Sequence, residues 1–386
     1  MRFLVLGGGA QGSAAAYDLL QQDDVEHVTV ADLKVGPLHP ALEPYSGSRL
    51  SVAKVDATER AEVADVMQGQ TGVLCALPYY LNAMASEVAV AAGAHFADLG
   101  GNTEIVQTQR GLDQAARDRG VAVTPDTGLA PGLVNILAQG GIQDLDHVDT
   151  VRMWVGGLPQ DPRPPLNYQI VYSLEGVLDY YVTPAVILRD GEISTVEALS
   201  GMELVTFDEA IPQLEAFFTG GGNSTLPYRY RGKIPTIEYK TLRYPGHARI
   251  MRAIRDLGLL SNESVEFQGQ PVNPRKFFIH MVAPGLTNPE GNDLVVARVE
   301  VSGAKNDVPV RIRFDVLDYY DAETKLTAMT RTTGFALSIT GLIQARGQAR
   351  RTGVGTPDEV IPPALFIEEM GARGIAITRS ELQDNR

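Results

Sequence analysis

Cysteine is nearly absent from this sequence. Among 386 residues only Cys75 carries a thiol, so no disulfide can form within the chain. A lone cysteine suits a reducing compartment, and the cytoplasm is the expected location. No apolar run approaches the roughly 18 residues that a membrane-spanning helix needs. The opening residues 1–6 meet glycine after four apolar residues, too short a run for a signal-peptide core. Basic residues are in deficit: 33 Lys and Arg against 47 Asp and Glu leave a net charge of −14. Such a surface repels phosphate backbones and anionic lipid, so neither nucleic acid nor membrane is an expected partner. The six histidines are scattered and none has a ligand-spaced partner, so no metal is expected. Gly-x-Ser-x-Gly and Walker loops are also missing, which sets aside two large nucleophile and nucleotide-hydrolase classes.

What is present is a regular alternation. At about 150 residues per domain, the length suggests two domains or three. Short apolar runs at 3–6, 25–31, 50–55, 73–77, 94–99 and 121–124 read as strands. Helix-like stretches at 10–20, 59–67, 82–92 and 104–119 lie between most of them, while 33–48 reads as a loop. Strand–helix alternation with nearly unbroken apolar strands predicts a doubly wound α/β parallel sheet of the Rossmann type. The pattern changes near Pro131. A helix at 131–139 and a Pro-rich loop at 158–166 follow, with strands at 148–155 and 236–242. Runs at 294–301, 308–318 and 325–331 then predict an antiparallel meander, hence an α+β second domain, with helices at 334–344 and 363–373.

Gly7-Gly8-Gly9-Ala10-Gln11-Gly12 follows the first strand and opens a helix. Gly7 permits the tight turn, Gly9 lets backbone approach a pyrophosphate, and Gly12 lets helix and strand pack closely. The helix start, at Ala10 and Gln11, points free N–H groups at the phosphates. Asp32 ends the second strand, where an acid bonds ribose hydroxyls and repels the extra phosphate of NADP. NAD is therefore the expected cofactor, with NADP as the alternative because Lys34 stands nearby. Asp56 ends the third strand and either reaches the adenine side or caps a helix.

Ligands of such sheets bind beyond the carboxyl ends of the strands. There lie Ala76-Leu77-Pro78, Asp98-Leu99-Gly100-Gly101 and Pro125-Asp126-Thr127-Gly128. Residues 76–78 suit contact with a nicotinamide and its ribose. Asp98 and Asp126 either serve a substrate ammonium or a proton transfer, or shape turns. In Glu238–His247, Arg243 can clamp a carboxylate and His247 can titrate near neutrality, while alternation puts Lys240 on the opposite face. A solvated surface strand is the competing reading. Tyr168, Tyr172, Tyr180 and Tyr181 read as core packing.

These stretches together resemble the saccharopine dehydrogenase family. The glycine loop is shared widely. More specific are Asp98-Leu99-Gly100-Gly101, Pro125-Asp126-Thr127-Gly128-Leu129-Ala130-Pro131-Gly132, Pro165-Leu166-Asn167-Tyr168, Ser173-Leu174-Glu175-Gly176 and the run Glu238–His247. Cys75-Ala76-Leu77-Pro78 departs from the family pattern, which often begins with Asn. The resemblance implies a dinucleotide-binding domain over 1–130 and a substrate-binding and dimerisation domain over 131–333. It implies that 334–386 packs back on the first domain and that the meander builds a homodimer sheet. It raises Asp98, Asp126, Tyr168, Arg243 and His247 to pocket residues, with Tyr172, Lys240 and Gly100 beside them.

Within the family the lysine-deaminating branch is the nearest. The implied reaction is NAD-dependent oxidation of the L-lysine ε-amine to 2-aminoadipate 6-semialdehyde and ammonia. Asp126 or His247 would be the base, Asp98 or Asp126 the ammonium partner, and Arg243 the carboxylate clamp. The alternatives are a saccharopine or carboxyamine enzyme using NADP, with Arg229, Arg231 and Lys233 as additional cations, and a dinucleotide-binding sensor without turnover.

Overall fold

The computed structural model describes residues 1–207, 211, 213–288 and 291–383. The first sheet contains β1 (Arg2–Leu6), β2 (His27–Asp32), β3 (Leu50–Lys54), β4 (Gly72–Cys75), β5 (His95–Asp98) and β6 (Ala122–Thr124). They lie in the order 3-2-1-4-5-6, every pair parallel. Phe3 to Leu6 are at most 1 % exposed because helices cover both faces of the sheet. Burying each such side chain contributes on the order of 1.5–3 kcal/mol. This is the doubly wound arrangement that the alternation predicts, and its order reverses between β1 and β4, where such sheets bind ligands.

The second sheet has nine strands and is mixed. At its centre β7 (His147–Pro159) pairs in parallel with Thr236–Arg243 and antiparallel with Asp293–Lys305. Asp293–Lys305 and Val308–Tyr319 form the first hairpin of the expected meander. The third run, 325–331, is not a strand. It enters the helix Ala328–Ala345, because the Thr327 side chain caps Thr330 and the Asp293 carboxylate accepts from the N–H groups of Ala328 and Met329. The place beside Val308–Tyr319 is taken by Ile377–Gln383, near the C-terminal end of the described chain.

The C-terminal segment serves both sheets. Helix Ala328–Ala345 crosses α1 (Ala10–Leu20) at Gly334, where a Cβ would lie 2.7 Å from that of Ala14. Gly353–Val354 adds a seventh parallel strand beside β6. Arg373 reaches the buried Asp18 of α1 at 2.6 Å, and Ser338 donates to the same carboxylate at 2.6 Å. The early-helix expectation at 131–139 is met by Leu133–Gln143, capped by Gly132 rather than begun by Pro131. Among the described residues, no helix is long and apolar enough to cross a membrane, and no group of acids, histidines or cysteine can hold a metal ion.

Candidate functional site

The glycine loop forms one rim of the site. Gly7 has φ +97°, and a Cβ there would lie 2.9 Å from the Ala76 carbonyl oxygen. A Cβ on Gly12 would overlap the Gly7 carbonyl, whereas the space around Gly9 is open. Gly9 caps α1 with no side-chain bond, so no capping side chain occupies the helix start at Ala10 and Gln11. Gln11 keeps a buried Oε1 with no partner. An open cradle, an uncapped helix start and an orphaned polar atom fit a dinucleotide pyrophosphate. Asp32 ends β2, accepting from the Gly8 N–H at 2.7 Å and the Lys34 N–H at 3.0 Å. Beyond β2 and β3 a second hollow is lined by Leu33, Lys54, Asp56, Glu62 and Asp65. Asp56 is held there by the Thr58 N–H and hydroxyl, which keep its carboxyl below the usual range.

A cavity of about 710 Å³ opens between this rim and the second sheet. Gln11, Ala76, Leu77, Pro78, Leu99 and Gly100 line its first wall. The opposite wall carries Tyr172, Tyr180, Tyr239, Thr241 and Arg243. Tyr239, Thr241 and Arg243 alternate along one strand and therefore share a face. Gly157 lies on neighbouring β7, where a Cβ would overlap Met329, so glycine there keeps the space open. Glu175 and Asp179, on the helix Leu174–Val182, stand along the same cavity.

Arg243 is 4 % exposed and lacks a carboxylate partner among the described residues. Its Nε donates to the Tyr181 hydroxyl at 3.3 Å. Its Nη1 reaches the carbonyls of Leu242 at 2.9 Å and Gly157 at 3.4 Å. The ring of Tyr168 lies 5.0 Å beneath the guanidinium. A buried, unpaired cation on a cavity wall is costly unless an anion meets it.

Five expected pocket residues lie elsewhere. Lys240 is on the opposite strand face, bonded to Glu203 at 2.9 Å and packed over Phe218. Tyr168 supports Arg243 from behind, its hydroxyl buried without a partner. His247 is 2 % exposed; burial, then the Arg243 charge, push its pKa down to about 3, so it is no base near neutrality. Asp98 and Asp126 lie beneath the Gly100–Gly101 wall rather than in the cavity. Asp98 accepts from Gly100 N–H and Gln109 Nε2, each at 2.7 Å. Asp126, at φ +62°, accepts from Gly101 N–H at 3.2 Å and from the Ser224 hydroxyl. Burial raises Asp98 to about 7 and Asp126 to about 6, and the Asp126 charge adds to the shift of Asp98. A Cβ on Gly100 would overlap Asp126 Oδ1, which explains the glycine there.

From the sequence Tyr180 reads as core packing, Tyr239 is not singled out within Glu238–His247, and Glu175 and Asp179 have no assigned role, yet all four line the cavity. The available signal for Tyr239 was its two-residue phase with Arg243.

Residues 3–124 match the profile described as saccharopine dehydrogenase NADP binding domain, and residues 128–375 match the saccharopine dehydrogenase C-terminal domain. The chain is 29 % identical over 223 residues to saccharopine dehydrogenase [NADP(+), L-glutamate-forming] of Pyricularia oryzae, covering 55 % of this chain and 47 % of that one. It is 26 % identical over 283 residues to the mitochondrial alpha-aminoadipic semialdehyde synthase of Bos taurus, covering 71 % and 30 %. The chain thus spans less than half the length of these two curated relatives. The apo saccharopine dehydrogenase (L-Glu forming) of Saccharomyces cerevisiae superposes with a TM-score of 0.81 at 17 % identity, over 99 % of both chains. Two profiles spanning nearly the whole chain and a shared fold place this protein in the saccharopine dehydrogenase family.

Proposed function

We propose that the chain is an NAD-dependent dehydrogenase of the L-lysine ε-amine, releasing 2-aminoadipate 6-semialdehyde and ammonia. The observation that carries this reading is the Arg243 guanidinium, without a carboxylate partner among the described residues, on a cavity whose other charged lining groups among those residues are Glu175 and Asp179. With Asp179 paired to Arg275, one cation and one carboxylate remain for the substrate, which suits a ligand carrying one carboxylate and a distal amine. Saccharopine carries additional carboxylates and would need further cations. Arg229 pairs with the buried Asp358, Arg231 with Glu192, and none of Arg229, Arg231 and Lys233 lines the cavity.

When bound along the glycine loop, the dinucleotide supplies the hydride acceptor. Arg243 holds the α-carboxylate, and the tyrosine-lined wall directs the side chain toward residues 76–78. Asp179 is ion-paired to Arg275, which leaves Glu175 as the lining carboxylate to accept a proton from the ε-ammonium. Loss of hydride from the neutral amine's carbon leaves a substrate iminium. Water adds, and the C–N bond breaks to give the aldehyde and ammonium. Asp98 and Asp126 shape the wall in this scheme, and His247 transfers no proton.

Asp32, Asp56, Glu62 and Asp65 against Lys34 and Lys54 favour NAD over a cofactor with an extra phosphate. The contrary indication is the NADP in the names of the matching profile and relatives. That indication supports a second reading, an NADP-linked saccharopine enzyme. A small-molecule amino acid is the proposed partner, with a second copy of the chain as a homodimer.

The test is reduced-nicotinamide absorbance with NAD⁺ or NADP⁺ against L-lysine or saccharopine. Reduction of NAD⁺ by lysine with ammonia release is expected. Activity confined to saccharopine and NADP⁺ would replace this reading with the second.

A further inference from the structure

Behind Arg243 lies a closed chain of hydrogen bonds that the proposed chemistry does not use. His247 Nδ1 is 3.0 Å from the Leu166 carbonyl oxygen, and its Nε2 is 2.9 Å from the Tyr181 hydroxyl. That hydroxyl is 3.3 Å from Arg243 Nε. Phe217 stacks on the imidazole with centroids 6.4 Å apart, and the Tyr168 and Tyr181 rings meet it edge-on.

The proton positions follow from what each end can do. A carbonyl only accepts, so His247 Nδ1 carries hydrogen. A neutral imidazole then has a bare Nε2, which must accept from Tyr181 O–H. The Tyr181 oxygen in turn points lone pairs at Arg243 Nε–H, which only donates. The set has one consistent arrangement, and it fixes the plane of the guanidinium. With Nε and Nη1 committed to Tyr181 and to backbone carbonyls, Nη2 is the corner without a hydrogen bond among the described residues.

We propose that Tyr181 and His247 are positioning residues that aim Arg243 at the substrate α-carboxylate. The inference rests on the amino-acid reading of the cavity given above. It makes the His247 imidazole a fixed acceptor rather than a proton carrier, and Tyr181 the joint that transmits its position. Their effect falls on substrates with a carboxylate and spares those without one.

The experiment compares L-lysine with pentane-1,5-diamine, its analogue lacking the carboxylate, on the full chain with saturating NAD⁺. Tyr181→Phe removes only the hydroxyl, and His247→Phe keeps a ring while removing the acceptor. Tyr181→Phe should raise the KM for lysine about tenfold, as expected when a hydrogen bond to a charged group is lost, and His247→Phe should raise it in the same direction by releasing the Tyr181 hydroxyl. The kcat should stay within about twofold, as should kcat/KM for the diamine. The double variant should be no worse than the more affected single one, because the residues act in series. A parallel fall on both substrates, or an unmoved lysine KM, would overturn the proposal. Should His247→Phe not fold, Tyr181→Phe carries the test alone. Failure of the underlying reading shows separately: the unmodified protein would then reduce NAD⁺ with neither amine, and this inference would fall with it.

Discussion

Replacing Arg243 by methionine separates its cost to the free protein from its value to a ligand. In the free chain the guanidinium makes one hydrogen bond of ordinary length, 2.9 Å to Leu242, and two long ones of 3.3 and 3.4 Å. Net, such bonds contribute about 1–2 kcal/mol together. Against this stands the desolvation of a cation 4 % exposed and without a carboxylate partner among the described residues, a penalty of several kcal/mol. Methionine of similar length removes both terms. The variant should melt at or slightly above the temperature of the unmodified chain. Binding is another matter. A charge-assisted hydrogen bond is worth about 1.5–3 kcal/mol, and each 1.4 kcal/mol is tenfold. The KM for L-lysine should therefore rise by about 12- to 150-fold. Pentane-1,5-diamine should be turned over as before. Thermal melts and initial rates from reduced-nicotinamide absorbance read both quantities. A lysine KM within about twofold of the original would refute the clamp. A melting temperature lowered by more than about 5 °C would show instead that Arg243 holds the fold.

Three further outcomes are expected. Burial, aided by Asp126, raises the Asp98 carboxyl to about 7. Stability from such a group is full below the unfolded value near 4 and is lost as pH rises through about 7. The non-titrating Asp98→Asn variant should gain on the unmodified chain by on the order of 1–3 kcal/mol between pH 5 and 8 in urea midpoints, and an unchanging difference would count against it. Arg373→Met leaves Asp18 buried with the Ser338 hydroxyl as its remaining side-chain partner among the described residues, which should cost about 3–5 kcal/mol and more at pH 8 than at pH 5, where Asp18 can neutralise. A loss below about 1 kcal/mol in urea unfolding would contradict this. Cys75 is buried, and desolvation pushes its thiol well up, so iodoacetamide at pH 8 should label the protein only after denaturation. Rapid labelling of the native chain would mean that β4 opens.

The parallel sheet was legible because its signals are local. Each of β1 to β6 is an apolar run bounded by turns, and the glycine loop states its backbone needs in residue types. The third meander strand was misread for a related reason. Residues 325–331 carry strand-like composition, but their backbone is decided by the Asp293 carboxylate, more than 30 positions away, which caps the helix they enter. No window along the chain contains that bond.

The site divides in the same way. Strand-end rules applied to the sequence alone put residues 76–78 and 99–100 on the side of the sheet where the cavity opens, whereas Arg243 stood against a surface-strand reading until the family resemblance favoured it; the structure puts it on the cavity wall. Only the tertiary structure decided the fates of Asp98, Asp126 and His247, whereas alternation already set Lys240 on the face away from Arg243. A carboxylate at a strand end looks the same in sequence whether it faces a cavity or holds Gly100 and Gly101 from beneath. An imidazole looks the same whether solvated or sealed between Phe217 and Tyr181. Burial sets the protonation of these groups, and burial is a property of what the distant parts of the chain bring to the same place.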